Sequence, residues 1–316
     1  MSGGTGAENT PTDPLGSVPL GRDRFVMGGC SYSRQWSGYV KDRWLGKYIG
    51  EAIGVYLIVL FGCGLLFSAI LFGVIGDFFS AGMGWGLAVM IAVYAAASMS
   101  GAHFNPAVTL ALAVTKRFPW NQVVQYWIAQ IIGGFLGAFT LLIMFGQAFG
   151  AFATKNNLVI GQAGSEKLAM MFIPVSPHPW VVGIDQAAYN AVPVWTGFFA
   201  EALCTGLLVM FILVLLERRS VNAPAGWFFP FALGLLVCMI VIIDGPLTMT
   251  SLNPARDLGP RILTLLMGFG TIAFPGVRDG GSLLVTAGAP MVGGVVGALF
   301  FDYVMKPFFP PEAAAA

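Results

Sequence analysis

The chain has 316 residues, 57% of them hydrophobic and 10% charged, and a formal net charge of +1. A soluble domain carries about 25% charged residues, so this much apolar surface requires lipid as its solvent, and the balanced charge gives no basis for nucleic-acid binding. The four cysteines (Cys30, Cys63, Cys204, Cys238) form no CxxC pair, and two histidines, His103 and His178, make no metal cluster.

Residues 1–40 are rich in Gly, Ser, Thr, Pro and charge without apolar periodicity and read as a disordered tail. No apolar h-region lies near the start, so no cleaved signal peptide is expected. Six apolar segments then follow, roughly 46–72, 83–100, 121–146, 194–216, 227–244 and 283–306. A hydrocarbon core of about 30 Å needs roughly 20 helical residues, and lipid tolerates no open backbone, so each is expected to be a transmembrane helix. Two shorter apolar pieces, 103–115 and 252–267, suit re-entrant half-helices. The expected organisation is a tail over 1–40, a channel domain over 41–306 and a C-terminal tail over 307–316. The domain comprises a first repeat of about 46–146, an outer loop over 147–193 and a second repeat of about 194–306.

An even number of spans puts both termini on one side. Lys116, Arg117, Arg218, Arg219 and Lys306 then share the side of the basic residues before the first span, and that side is expected to be cytoplasmic. Glycines in the first, third and sixth spans have the small-xxx-small spacing of closely packed membrane helices.

The two halves repeat. Glu51 opens the first span and Asn105-Pro106-Ala107 follows; Glu201 lies in the fourth span and Asn253-Pro254-Ala255 follows at nearly the same separation. Three spans per half invert the second half, which places the site near the midplane. Asn is a good N-cap and Pro suits the first helical turn. The two motifs therefore mark two half-helices meeting head to head, with their positive dipole ends at the centre. The amides of Asn105 and Asn253 are placed to donate to a passing oxygen, and the field repels cations and protons. Arg256, a guanidinium within a membrane segment, is functional by default. His103 is expected to hold the first loop or line the inner vestibule, with a pH gate as the alternative.

The stretch Ser100–Thr109, SGAHFNPAVT, resembles the first signature of the major intrinsic protein family, and 253–261, NPARDLGPR, resembles the second. The resemblance extends over about 46–306. It implies the aquaporin fold: an all-α membrane protein with six transmembrane helices and two re-entrant half-helices in an inverted repeat, assembled as a homotetramer with one pore per protomer. Asp257 after Arg256, together with Arg261 and the long segment 147–193, is similar to the glycerol-facilitator branch; Asp257 also suits a helix N-terminus. The resemblance places an outer filter on Trp85, Val241, Thr250 and Arg256. Trp85 and Arg256 fit that branch; Val241 replaces its glycine, Thr250 its second aromatic residue. Thr286 and Ala287 also depart from the proline-led pair of glycerol channels. Glu51 and Glu201 are implied to accept hydrogen bonds from the loop backbones.

The function expected is a passive channel in the lipid bilayer, by default the plasma membrane, for glycerol, water and other small uncharged solutes. It excludes protons and ions and uses no metal or cofactor. The alternatives are a water-selective, closed or gated channel of the same fold, or an ion-coupled secondary transporter. An enzyme is disfavoured because the spans contain no nucleophile–base pair.

Overall fold

A computed structural model describes residues 43–220 and 223–311; the expected tail over 1–40 and the last residues lie outside these. The described residues contain no strand, and six of their helices are long and apolar enough to cross a membrane. These are α1 (Arg43–Phe72), α2 (Phe78–Ser100), α4 (Val123–Lys155), α7 (Val194–Leu216), α8 (Phe229–Thr248) and a last span, Gly281–Phe308. The last span opens with α10 (Gly281–Leu283), loosens into a π-helical turn at Leu284–Gly288 and continues as α11 (Ala289–Phe300). Between spans two and three lies α3 (Pro106–Val114), and between spans five and six lies α9 (Pro254–Leu266). At nine and thirteen residues both are too short to cross. The connection after α4 carries two short helices, α5 (Glu166–Ala169) and α6 (Gln186–Ala191).

Several spans run further than their hydropathy predicts; the second, expected from 83, starts at Phe78 behind an Asp77 cap that accepts from Ser80 N. The third, expected to end near 146, continues to Lys155. Gln147, Ala148, Ala151 and Ala153 favour helix, and Phe149 packs beside Phe67 and Phe172, with ring centroids 6.1 and 5.8 Å away. Lys155 then closes the helix at its negative end. The fifth, expected to end at 244, turns once more to Thr248. Asp244 looks like a break in an apolar run, but the Thr248 hydroxyl donates to it over 2.7 Å and ties that turn together.

The half-helices pack across the repeat. Within the first half α1 lies against α2 and α4, and within the second α7 lies against α8 and α11. In contrast, α3 packs on α11, and α9 packs on α4. Two glycines make that exchange possible: a Cβ at Gly134 would lie 2.6 Å from the Ala255 carbonyl oxygen, and one at Gly294 would lie 3.1 Å from that of Ala107. The alanine of each Asn-Pro-Ala thus rests on the backbone of a long helix from the other half, where only hydrogen fits easily. Trp195, Ile143 and Ile243 are exposed on the outside of the bundle, as lipid-facing side chains must be.

Candidate functional site

Asn105 caps α3 through its side-chain oxygen, which accepts from Ala107 N at 2.8 Å; Asn253 caps α9 by accepting from Ala255 N and Arg256 N at 3.0 and 3.3 Å. Proline follows each cap at the first helical position. The amide nitrogens cross between the halves: Asn105 Nδ2 donates to Leu252 O at 2.8 Å and Asn253 Nδ2 donates to Phe104 O at 2.7 Å. Each amide nitrogen carries two hydrogens, so each keeps one for another acceptor.

The loops leading to the caps are held in an uncommon shape. Ala102 and Phe104 have φ of 58° and 49°, and their counterparts Thr250 and Leu252 have 48° and 52°. Left-handed non-glycine residues cost on the order of 1–3 kcal/mol each and persist only where neighbours compel them. Two buried carboxylates supply the compulsion. Glu51 accepts from His103 N and Phe104 N at 3.0 and 2.7 Å, and Glu201 accepts from Ser251 N and Leu252 N at 2.5 and 2.9 Å.

The partners beyond these contacts differ. Glu51 also receives Gln130 Nε2 at 2.6 Å, from α4. Glu201 instead has a second carboxylate, Asp244, within electrostatic range. Gln130 and Asp244 escape the sequence reading, although a lone polar residue in an apolar span is the available signal. His103 Nδ1 pairs with Thr109 Oγ1 at 3.1 Å, and its ring lies 4.6 Å from Phe118 and 5.0 Å from Tyr126. It is packed and only 8% exposed.

One cavity runs past both caps. Asn105, Asn253, Trp85, Val241, Thr250 and Arg256 all line it, with apolar side chains between. Arg256 Cζ lies 4.6 Å from the Trp85 ring centroid. The guanidinium has one hydrogen bond at the distance limit, Nη1 to Phe172 O at 3.5 Å, while Nε and Nη2 have no protein partner. Asp257 does not neutralise it. That carboxylate pairs with Arg261, one turn along α9, at 2.7 Å, and also accepts from Thr286 Oγ1 at 2.6 Å. Arg261 further donates to Ala273 O at 2.9 Å and to Pro174 O at 3.2 Å. The pair therefore fastens the outer connection to α9 and the last span. Thr286, which sets this chain apart from the proline-led pattern, has a defined task there.

Among the described residues no group of three or more His, Cys, Asp or Glu is placed to hold a metal ion. Cys63, Cys204 and Cys238 are free and buried, and Cys30 lies outside the described residues.

Six spans, two inverted half-helices and a polar path between their caps define a membrane channel architecture. A family model described as Major intrinsic protein matches residues 39–301. A propanediol uptake facilitator of Salmonella typhimurium is 35% identical over 253 residues, covering 80% of this chain and 91% of that protein. A glycerol uptake facilitator protein of Pseudomonas aeruginosa is 33% identical over 271 residues, covering 86% and 92%. Among solved structures, the aquaglyceroporin from Plasmodium falciparum is similar with a TM-score of 0.70 at 28% identity, covering 84% of this chain and 98% of that one. The chain belongs to the major intrinsic protein family and is an integral, multi-pass membrane protein with the aquaporin fold, not an enzyme.

Proposed function

We propose that the chain passively conducts glycerol, water and other small uncharged solutes through the cavity that passes Asn105 and Asn253, and that it excludes protons and ions. The observation that carries this reading is the crossed pair of amide hydrogen bonds, Asn105 to Leu252 O and Asn253 to Phe104 O. It fixes both amides at the positive ends of two opposed half-helices, each with a hydrogen left for a solute oxygen. A solute oxygen held there points its own hydrogens away from both ends, which breaks a proton-conducting chain of water. Arg256, with two nitrogens free of protein partners, adds a positive barrier to cations and donors for hydroxyls. The glycerol and propanediol facilitators among the relatives support a small polyol as the solute.

In this reading Trp85, Val241, Thr250 and Arg256 form the outer filter, and Glu51, Glu201, His103 and Asp257 support the loops. The pore domain spans 41–306 as two repeats around the outer connection. Both termini are cytoplasmic, with Lys116, Arg117, Arg218, Arg219 and Lys306 on that side. Exposed apolar side chains such as Phe61, Ile91 and Leu203 furnish faces for lipid and for the neighbouring copies of a homotetramer.

The test is stopped-flow light scattering on liposomes containing the full chain. After a hyperosmotic glycerol step, shrinkage followed by reswelling much faster than in protein-free liposomes is expected. Fast shrinkage without accelerated reswelling contradicts the glycerol assignment and favours a water-selective pore. A proton gradient is expected to decay no faster than in protein-free liposomes.

A further inference from the structure

The two loop-holding carboxylates have unequal surroundings. Glu51 accepts from two backbone N–H groups and from the Gln130 amide, and the Ser100 hydroxyl lies beside it. Glu201 accepts from the backbone N–H groups of Ser251 and Leu252, and the Thr248 hydroxyl lies beside it. In place of an amide donor, the second half brings a further carboxylate, Asp244 of α8. Asp244 is 1% exposed and Glu201 0%. Thr248 has one hydroxyl hydrogen and gives it to Asp244 Oδ2 at 2.7 Å, which leaves none for Glu201. Asp244 Oδ1 has no partner. Thr205 Oγ1, one turn along α7 from Glu201, and Ser251 Oγ have none either, so neither hydroxyl serves Oδ1. None of the ion pairs among the described residues engages either carboxylate. The other titratable groups around Asp244 are few. From α7, Cys204 lies within electrostatic range of both carboxylates. From α2, Phe78 packs at Gly245 and meets His178 of the outer connection, ring centroids 5.7 Å apart. Burial holds His178 at about 4, so it is neutral at pH 6 and above. The Asp77 cap of α2 is exposed, and Tyr94 of α2 bonds to Trp227 O at the far end of α8. Cys238 lies six residues back on α8, and Arg256 faces the cavity.

We propose that Asp244 and Glu201 form a proton-binding site, and that the one proton they hold keeps the second cap loop in its conducting shape. The inference rests on the reading of the cavity as a solute path. Two buried carboxylates without a cation repel, and one proton held between them removes the repulsion. Glu201 has both oxygens occupied by N–H donors, whereas Asp244 Oδ1 is open to carry the hydrogen. Loss of that proton to the medium sets two like charges beside each other and makes them compete for the single Thr248 hydrogen. Thr248 Oγ1 also accepts from Thr250 N at 3.1 Å, and Thr250, Ser251 and Leu252 line the cavity. A change at the pair is therefore passed through one side chain to the pore wall. Asp244 itself does not line the cavity and acts as a positioning residue. The pair titrates as a unit, and conduction falls as the medium is made alkaline.

The experiment records infrared spectra and the entry of glycerol and water for the full chain in liposomes between pH 6 and pH 9, after subtracting entry into protein-free liposomes. Wild type, Asp244→Asn and Cys204→Ser are compared. At pH 6 the wild type is expected to show the carbonyl stretch of a buried, protonated carboxylic acid. That band fades as pH rises, and glycerol entry falls with it by roughly two- to tenfold, the worth of one net hydrogen bond. Asp244→Asn keeps a donor beside Glu201 but cannot titrate; it lacks the band, and its entry rate is the same across the range. Cys204→Ser keeps the wild-type band and profile. The same band in Asp244→Asn, or wild-type entry that does not respond to pH, overturns the proposal. A wild type that passes water but no glycerol counts against the polyol reading alone, and its water profile then tests the pair by the same criterion.

Discussion

Asp257 pairs with Arg261, four residues along α9, and not with its immediate neighbour Arg256. The distinction separates two cationic side chains that look alike in sequence. Arg261 is 1% exposed and has four protein acceptors; Arg256 is 2% exposed and has one. The first arginine is an anchor and the second faces the cavity with donors to spare.

Removing one charge of a buried pair strands the other, which costs about 3–5 kcal/mol. Asp257→Asn is therefore expected to lower the thermal unfolding temperature strongly in detergent. Arg117 and Asp302 also pair, but their side chains are 26% and 20% exposed. Pairs nearer the surface contribute about 0–1 kcal/mol and more when bidentate, as this one is, so Asp302→Asn is expected to shift unfolding less than Asp257→Asn. Equal shifts in the two variants would contradict the anchoring role of Asp257.

Close helix contact gives a second contrast. A Cβ at Gly293 would lie 2.0 Å from the Ala202 carbonyl oxygen, whereas one at Gly150 meets nothing within 4 Å. Gly293→Ala is expected to force α7 and α11 apart and reduce the yield of monodisperse protein. Gly150→Ala is expected to be neutral or to stabilise by up to about 1 kcal/mol through helix propensity. Size-exclusion profiles of the two variants check this.

Most of the frame was legible because lipid imposes long apolar runs and because Asn-Pro announces a helix start. The six spans and both half-helices follow from those two rules. The positions of Glu51 and Glu201, equivalent in the two repeats, marked them as a pair before their backbone partners were visible. What hydropathy hid were the turns beyond the apolar runs. Lys155 ends α4 because Phe149 finds aromatic partners, and Thr248 ends α8 because its hydroxyl donates to one oxygen of Asp244. Gln130 and Thr286 were obscure for another reason: their partners, Glu51 and Asp257, are distant in sequence. The choice of Asp257 between two arginines likewise depends on helix phase and on carbonyls contributed by the outer connection.

Gln130 joins α4 to the first loop by donating to Glu51 and to Thr109, at 2.6 and 3.1 Å. Gln130→Leu removes both donors and leaves buried acceptors short of a partner, a cost of about 1–3 kcal/mol. A lower unfolding temperature and slower solute entry are expected, while Gln130→Glu is expected to be worse because it adds a like charge beside Glu51. Unfolding curves for the two variants supply the check.

The outer connection has its own pH dependence. Burial depresses His178 from its ordinary value of 6.5 to about 4. The unfolded segment then takes up a proton at a higher pH than the folded one. The stability this histidine confers is fully present above about 6.5 and is lost as pH falls toward 4, by up to about 2 kcal/mol at pH 5. Hydrogen exchange across residues 174–183 is expected to quicken between pH 7 and pH 5 in the wild type, after correction for the intrinsic rate. In His178→Phe the same interval is expected to have little effect.

If solutes cross through the cavity between Trp85, Val241, Thr250 and Arg256, filling that cavity stops them. The most direct measurement is glycerol entry into liposomes bearing Val241→Trp, which fills that cavity from α8, compared with wild type at equal protein content and equal unfolding temperature. Accelerated glycerol entry is expected to fall to the protein-free rate. Glycerol entry that persists at the wild-type rate would contradict this and place the path elsewhere.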